Sequence, residues 1–127
     1  MALRPTFTSG DVFTAVNANI LATSIVALVT QSGTAITAAL TDVGKLINFT
    51  SGTAVAFTIP ANATVAFSVG DQLNIFQAGT ATVTITPAAT VTIRSSGSKL
   101  KTSDQFSVAT CIKIDTNEWV AVGNLKA

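Results

Sequence analysis

Histidine and tyrosine are absent from the 127-residue sequence, cysteine, methionine and tryptophan occur once each, and charged residues make up only 10%. Without histidine, Ser–His and Cys–His nucleophilic systems cannot be built, and the commonest general base near neutral pH is missing. One cysteine and no histidine cannot assemble a Cys/His zinc site, and one cysteine cannot form an intrachain disulfide. Cys111, in the alternating apolar run "VATCIKI", reads as a small buried hydrophobe in a strand interior rather than a nucleophile.

Seven basic and six acidic residues leave a net charge of +1 with no block of like charges, so neither a nucleic-acid footprint nor a basic membrane-binding stripe is present. The apolar run "NILATSIVALV" (19–29) is interrupted by Thr23 and Ser24 and is shorter than the ~20 residues that span a bilayer. The N-terminus "MALRPTFTSGDVF" lacks the apolar core and cleavage site of a secretory signal, so Sec-type export is not expected.

Threonine takes the place of charge, with 21 residues. It combines the β preference of valine with a hydroxyl that tolerates water or a neighbouring subunit. A threonine face is either a solvated wall or a surface packed on other proteins, where charge would carry a desolvation cost. The scarcity of charge along the whole chain favours the second.

The length fits one core. An N-terminal arm and short helix are expected over 1–34 and a β domain over 35–127. Thr14 stands at an N-cap position ahead of "AVNANILATSI" (15–25). Val16, Ile20 and Ala27 fall on one helical face, with Leu21 and Ser24 beside it.

From Ala35 the period becomes two. Strands are predicted at Lys45–Thr50, Ala54–Ile59, Thr64–Phe67, Gln72–Gln77, Ala81–Thr86, Thr90–Arg94, Phe106–Ile114 and Glu118–Gly123, separated by connectors rich in Gly, Pro, Asn, Asp and Ser. The fold class is mainly β, an antiparallel β-sandwich or small β-barrel with an N-terminal arm and one short helix.

The motif "TVTI" occurs at Thr82–Ile85 and again at Thr90–Ile93. Alternation turns Val83, Ile85, Val91 and Ile93 inward and the threonines outward, and the link "TPAA" is short enough for the two copies to pair as a hairpin. A solenoid is the competing reading, but two copies fall short of the about three that stacked coils need.

No catalytic, cofactor-binding or metal residues are assigned. Asp11, Asp42, Asp71, Asp104, Asp115 and Glu118 each stand beside turn signals and read as turn caps rather than a glycosidase pair. "DTNE" lacks the glycine and distant glutamate of a calcium loop, and neither glycine-rich phosphate motif occurs. Trp119 either stacks on a sugar or packs at the core, and packing is favoured.

Two stretches carry a resemblance. "FTSGDVFTAVNANIL" resembles the N-terminal segment of tailed-bacteriophage virion proteins, with Phe13 where an aliphatic residue is usual. "VGKLINF", "VGDQLNIFQAG" and "IKIDTNEWVAVGNL", in that order, are similar to a β module of phage structural proteins. The resemblance implies a virion structural protein without catalytic residues, made in the host cytoplasm and attached to the particle, commonly as a homotrimer. An arm plus one module, without a separate receptor-binding tip, points to a capsid decoration or cement protein bound to the major capsid protein. The alternatives are a tail fibre or fibre-base protein, or a host-binding adhesin module. Leu3, Arg4, Pro5, Phe7 and Phe13 are the expected interface residues, since Arg and aromatic side chains anchor interfaces.

Overall fold

The computed structural model describes residues 27–127; the expected arm and helix, with Leu3, Arg4, Pro5, Phe7 and Phe13, lie outside them. Among the described residues the chain forms eleven strands: β1 (Leu28–Gln31), β2 (Ala35–Thr37), β3 (Leu46–Phe49), β4 (Val55–Ile59), β5 (Gln72–Gln77), β6 (Val83–Pro87), β7 (Thr92–Ser95), β8 (Lys101–Thr102), β9 (Val108–Asp115), β10 (Glu118–Gly123) and β11 (Leu125–Lys126). They make two sheets, one ordered β1-β3-β5-β9-β10-β7 and the other β11-β8-β6-β4-β2. The fold is mainly β and sandwich-like, with no closed barrel.

The pairing is mixed rather than antiparallel. From β1 to β6 the chain gives strands alternately to the two sheets, and β1, β3 and β5 pair in parallel, as do β2, β4 and β6. These are three stacked coils, and identical registers pile residues into columns: Val29–Ile47–Ile75 and Gln31–Phe49–Gln77 in one sheet, Ile36–Phe57–Ile85 in the other. The solenoid reading, disfavoured by the "TVTI" count, is therefore correct for this segment. Its repeat is the inward apolar column at irregular spacing, which no short motif reports.

The two "TVTI" copies do not form a hairpin. β6 joins β4 and β8 in one sheet, whereas β7 pairs in parallel with β10 in the other. Pro87 ends β6 without a donor, the Val91 N–H closes a turn onto Ala88 O at 3.1 Å, and Thr90 has φ 72°, so the chain crosses between sheets. Alternation holds all the same: Val83, Ile85 and Val91 are buried while Thr90 and Thr92 are exposed.

Beyond β6 the mode changes. β9 pairs antiparallel with β5 and then with β10 across the two-residue turn Thr116–Asn117, while β8 pairs antiparallel with β6 and β11. Predicted strand Thr64–Phe67 is instead part of the β4–β5 loop, where the Thr64 and Val65 N–H groups both turn back onto Ala61 O. Its alternation is real, since Phe67 is buried, but no strand among the described residues pairs with it. Sheet structure also begins upstream of Ala35, and Ala27, expected on a helical face, accepts the Leu46 N–H at 2.9 Å.

The core lies between the sheets. Phe49 and Phe57 meet edge to face across it at 5.4 Å, and Phe67 meets Trp119 at 5.3 Å and 84°. At Gly79 a Cβ would lie 2.2 Å from Ser51 O, so only glycine lets the β5–β6 turn close against the preceding coil.

Candidate interaction surface

The β1–β3–β5–β9–β10–β7 sheet turns one face to the core and the other outward. Its register sets the outward residues in rows: Thr30–Asn48–Phe76–Val108, Leu28–Leu46–Asn74–Thr110–Val122, and Gln72–Ile112–Val120–Arg94. Leu28, Val108 and Val122 are large apolar residues standing in solvent. Among the described residues charge appears on this face only at one corner, where Arg94 Nε meets Glu118 Oε1 at 2.6 Å. Within the face the Thr110 hydroxyl bonds Asn74 Oδ1 at 2.8 Å, and Asn74 Nδ2 donates to Lys45 O at 3.3 Å. Asn48 Oδ1 is out of water and unpaired.

Phe106 extends this surface. The residue is 66% exposed, its φ of 72° is left-handed, and its ring stacks on Phe76 with centroids 6.3 Å apart. A left-handed bulky residue costs of order 1–3 kcal/mol and persists only where its surroundings impose it. Here they do: the Phe106 N–H bonds Gln77 O at 2.6 Å, Gln105 Nε2 bonds Ala78 O at 2.9 Å, and Ser107 Oγ accepts the Asp104 N–H at 3.0 Å. The loop is braced to present an aromatic ring outward rather than to hide it.

The other sheet has a different outer face, with Thr37–Thr58–Thr86 in one row and Ala35–Ala56–Thr84–Lys101 in the next. Threonine and alanine thus wall one side, while the other mixes Leu, Ile, Val and Phe with Thr, Asn and Gln. Where β7 ends, beside β10 and β11, lies an open groove of about 370 Å³, with Val120, Val122 and Leu125 as its apolar lining and Ser95, Ser96 and Lys99 as its polar one.

Two buried polar clusters hold this framework. Lys113 is 2% exposed, and its Nζ donates to Asn62 Oδ1 at 2.6 Å and Phe67 O at 2.7 Å, pinning the β4–β5 loop over the core. No ion pair to Lys113 occurs among the described residues. The phase of β9 carried the signal, because Ala109, Cys111 and Lys113 share one face, although alternation alone marks Lys113 only as part of a strand. The second cluster ties the sheets together: Thr102 Oγ1 accepts the Val83 N–H at 2.9 Å and donates to Gln77 Oε1.

The remaining candidates take structural places. Trp119 is buried, so no sugar can stack on it. Cys111 is fully buried, and loss of hydration pushes its thiol up to about 12. Asp42 Oδ2 accepts the Ala39 N–H, Asp71 Oδ2 the Ser68 N–H and Asp115 Oδ1 the Thr116 N–H, each within its own turn. Among the described residues no three His, Cys, Asp or Glu side chains gather as a metal site, and no helix is long and apolar enough to cross a membrane. No family model matches the chain, and neither a curated protein nor a solved structure matches it.

Proposed function

We propose that this chain is a structural protein of a bacteriophage particle, and within that class a capsid decoration protein that binds the assembled shell. The observation that carries an assembly role is the outer face of the six-stranded sheet: Leu28, Val108 and Val122 exposed among uncharged polar residues, no charge away from one corner, and Phe106 held outward against its backbone preference. Large apolar side chains exposed on a face almost without charge mark protein–protein contact. The phage assignment comes from the resemblance of "FTSGDVFTAVNANIL" and the ordered β-module segments to virion proteins.

Magnitude argues for more than one contact per copy. Six strands at ~4.8 Å spacing and about five residues along each strand give a projected face of about 400 Å². A stable interface needs roughly 800 Å² per partner. The arm residues Leu3, Arg4, Pro5, Phe7 and Phe13, and assembly as a homotrimer, would supply the rest. Binding assembled shell in preference to free subunits would stabilise the shell by mass action.

Gold-labelled antibody against this chain, imaged on particles from the phage that encodes it, tests the proposal. Label over the capsid is expected. Label confined to the tail would replace decoration by a fibre role, and absence of label from particles would refute the virion reading.

A further inference from the structure

The phase of β9 turns Lys113 into the core beside Ala109 and Cys111, opposite Trp119 of β10. Its amine lies 2.6 Å from Asn62 Oδ1 and 2.7 Å from Phe67 O, and both of these acceptors are neutral carbonyl oxygens. The first belongs to a side-chain amide, a group that an amine can attack. A carbonyl bond is about 1.23 Å long, so Nζ at 2.6 Å from Oδ1 stands no more than about 3.8 Å from Asn62 Cγ. Reacting atoms in a near-attack conformer are about 3–3.5 Å apart. The broad χ2 well of asparagine lets the amide turn its face to the amine within that difference.

The pair is held from both sides. Phe67 O fixes Nζ, Asn117 Oδ1 fixes the Asn62 backbone N–H at 2.9 Å, and the edge-to-face rings of Phe67 and Trp119 stand beside the site. Orientation of this quality gives intramolecular reactions effective concentrations of about 10⁵–10⁸ M. The change in charge favours closure as well. An ammonium loses hydration when it is buried, whereas an amide in its place is neutral.

We infer that Lys113 and Asn62 close to an isopeptide bond after the chain has folded. Nζ bonds to Asn62 Cγ, and the Cγ–Nδ2 bond breaks. Of the three protons on the ammonium, one stays on the new amide and two leave with Nδ2, which departs as ammonium and takes the positive charge to water. Asn62 is half-buried, so the leaving nitrogen has a path outward. The hydrogen-bonded pair is the state from which the bond closes, and the freshly folded chain holds it. Closure ties β9 covalently to the β4–β5 loop across 51 positions of sequence.

The test is the intact mass of the purified full chain, kept at neutral pH for a week and then digested with trypsin. The expected mass lies below the sequence mass by one ammonia in most chains. Trypsin should no longer cut after Lys113, and one branched peptide should carry both Asn62 and Lys113. Asn62→Ala and Lys113→Met, treated alike, should keep their full masses. Full sequence mass in the parent chain after the week overturns the inference. So does loss of ammonia with Asn62 and Lys113 in separate linear peptides, which marks cyclisation of an asparagine onto its own backbone, and so does the same loss in either variant.

Discussion

Replacing Asn62 by alanine should destabilise the protein through a residue more than fifty positions away. Lys113 Nζ is buried with two acceptors, Asn62 Oδ1 and Phe67 O. Asn62→Ala removes the first and leaves an ammonium in the core with the second. A hydrogen bond to a charged group is worth about 1.5–3 kcal/mol, so the variant should lose about 2 kcal/mol. At roughly 4 °C per kcal/mol for a domain of this size, Tm should fall by about 8 °C. The backbone bond from Asn62 N–H to Asn117 Oδ1, at 2.9 Å, does not depend on the side chain and should hold the loop in place.

The companion variant is Lys113→Met. It loses both bonds but also removes the cost of holding a cation out of water, so its own change is smaller than the sum of two charged bonds. The cycle of the two variants decides the matter. In the Lys113→Met background, Asn62→Ala should cost under about 0.5 kcal/mol, giving a coupling of about 1.5 kcal/mol. Urea titration with an unchanged slope measures each corner. Strictly additive losses would show that the lysine is not held by Asn62 and that the loop is anchored by other means.

Thr102→Val should cost about 2–4 kcal/mol by urea titration, because the Val83 N–H and Gln77 Oε1 both lose their buried partner, while Thr102→Ser should recover most of it. Alkaline pH should weaken the fold through Cys111. Its thiol ionises near 9.0 when unfolded and about 12 when folded, so the native state holds a proton that the unfolded chain releases. Stability from this group is intact below about pH 9 and falls as pH rises toward about 12; Cys111→Ala should show a shallower decline in thermal melts across that window. Phe106→Gly should change stability by less than about 1 kcal/mol, since relief of the left-handed strain offsets the lost stacking on Phe76. The same variant should fail to co-sediment with capsids that bind the parent chain, and retained binding would remove Phe106 from the interface.

Alternation of side chains was legible in the sequence and determined which residues are core. Val83, Ile85, Leu73, Ile75, Ala109, Cys111 and Trp119 are buried as period two requires, and Gln72–Gln77 and Glu118–Gly123 begin and end where the turn residues place them. Period two specifies a face, however, and not a neighbour. Whether β6 turns back on β7 or stacks on β4 depends on backbone bonds between residues far apart in the chain, and the identical letters of "TVTI" satisfy both arrangements. Strand β8, two residues long, has no period to detect; it exists because Thr102 bridges Val83 and Gln77. Tertiary structure alone also decided that Lys113 is a buried strut, that Trp119 is closed to ligands, and that Leu28, Val108 and Val122 stand on the same outward face of one six-stranded sheet. Each is a statement about which segments meet, and that is fixed by the joint packing of two sheets rather than by local pattern.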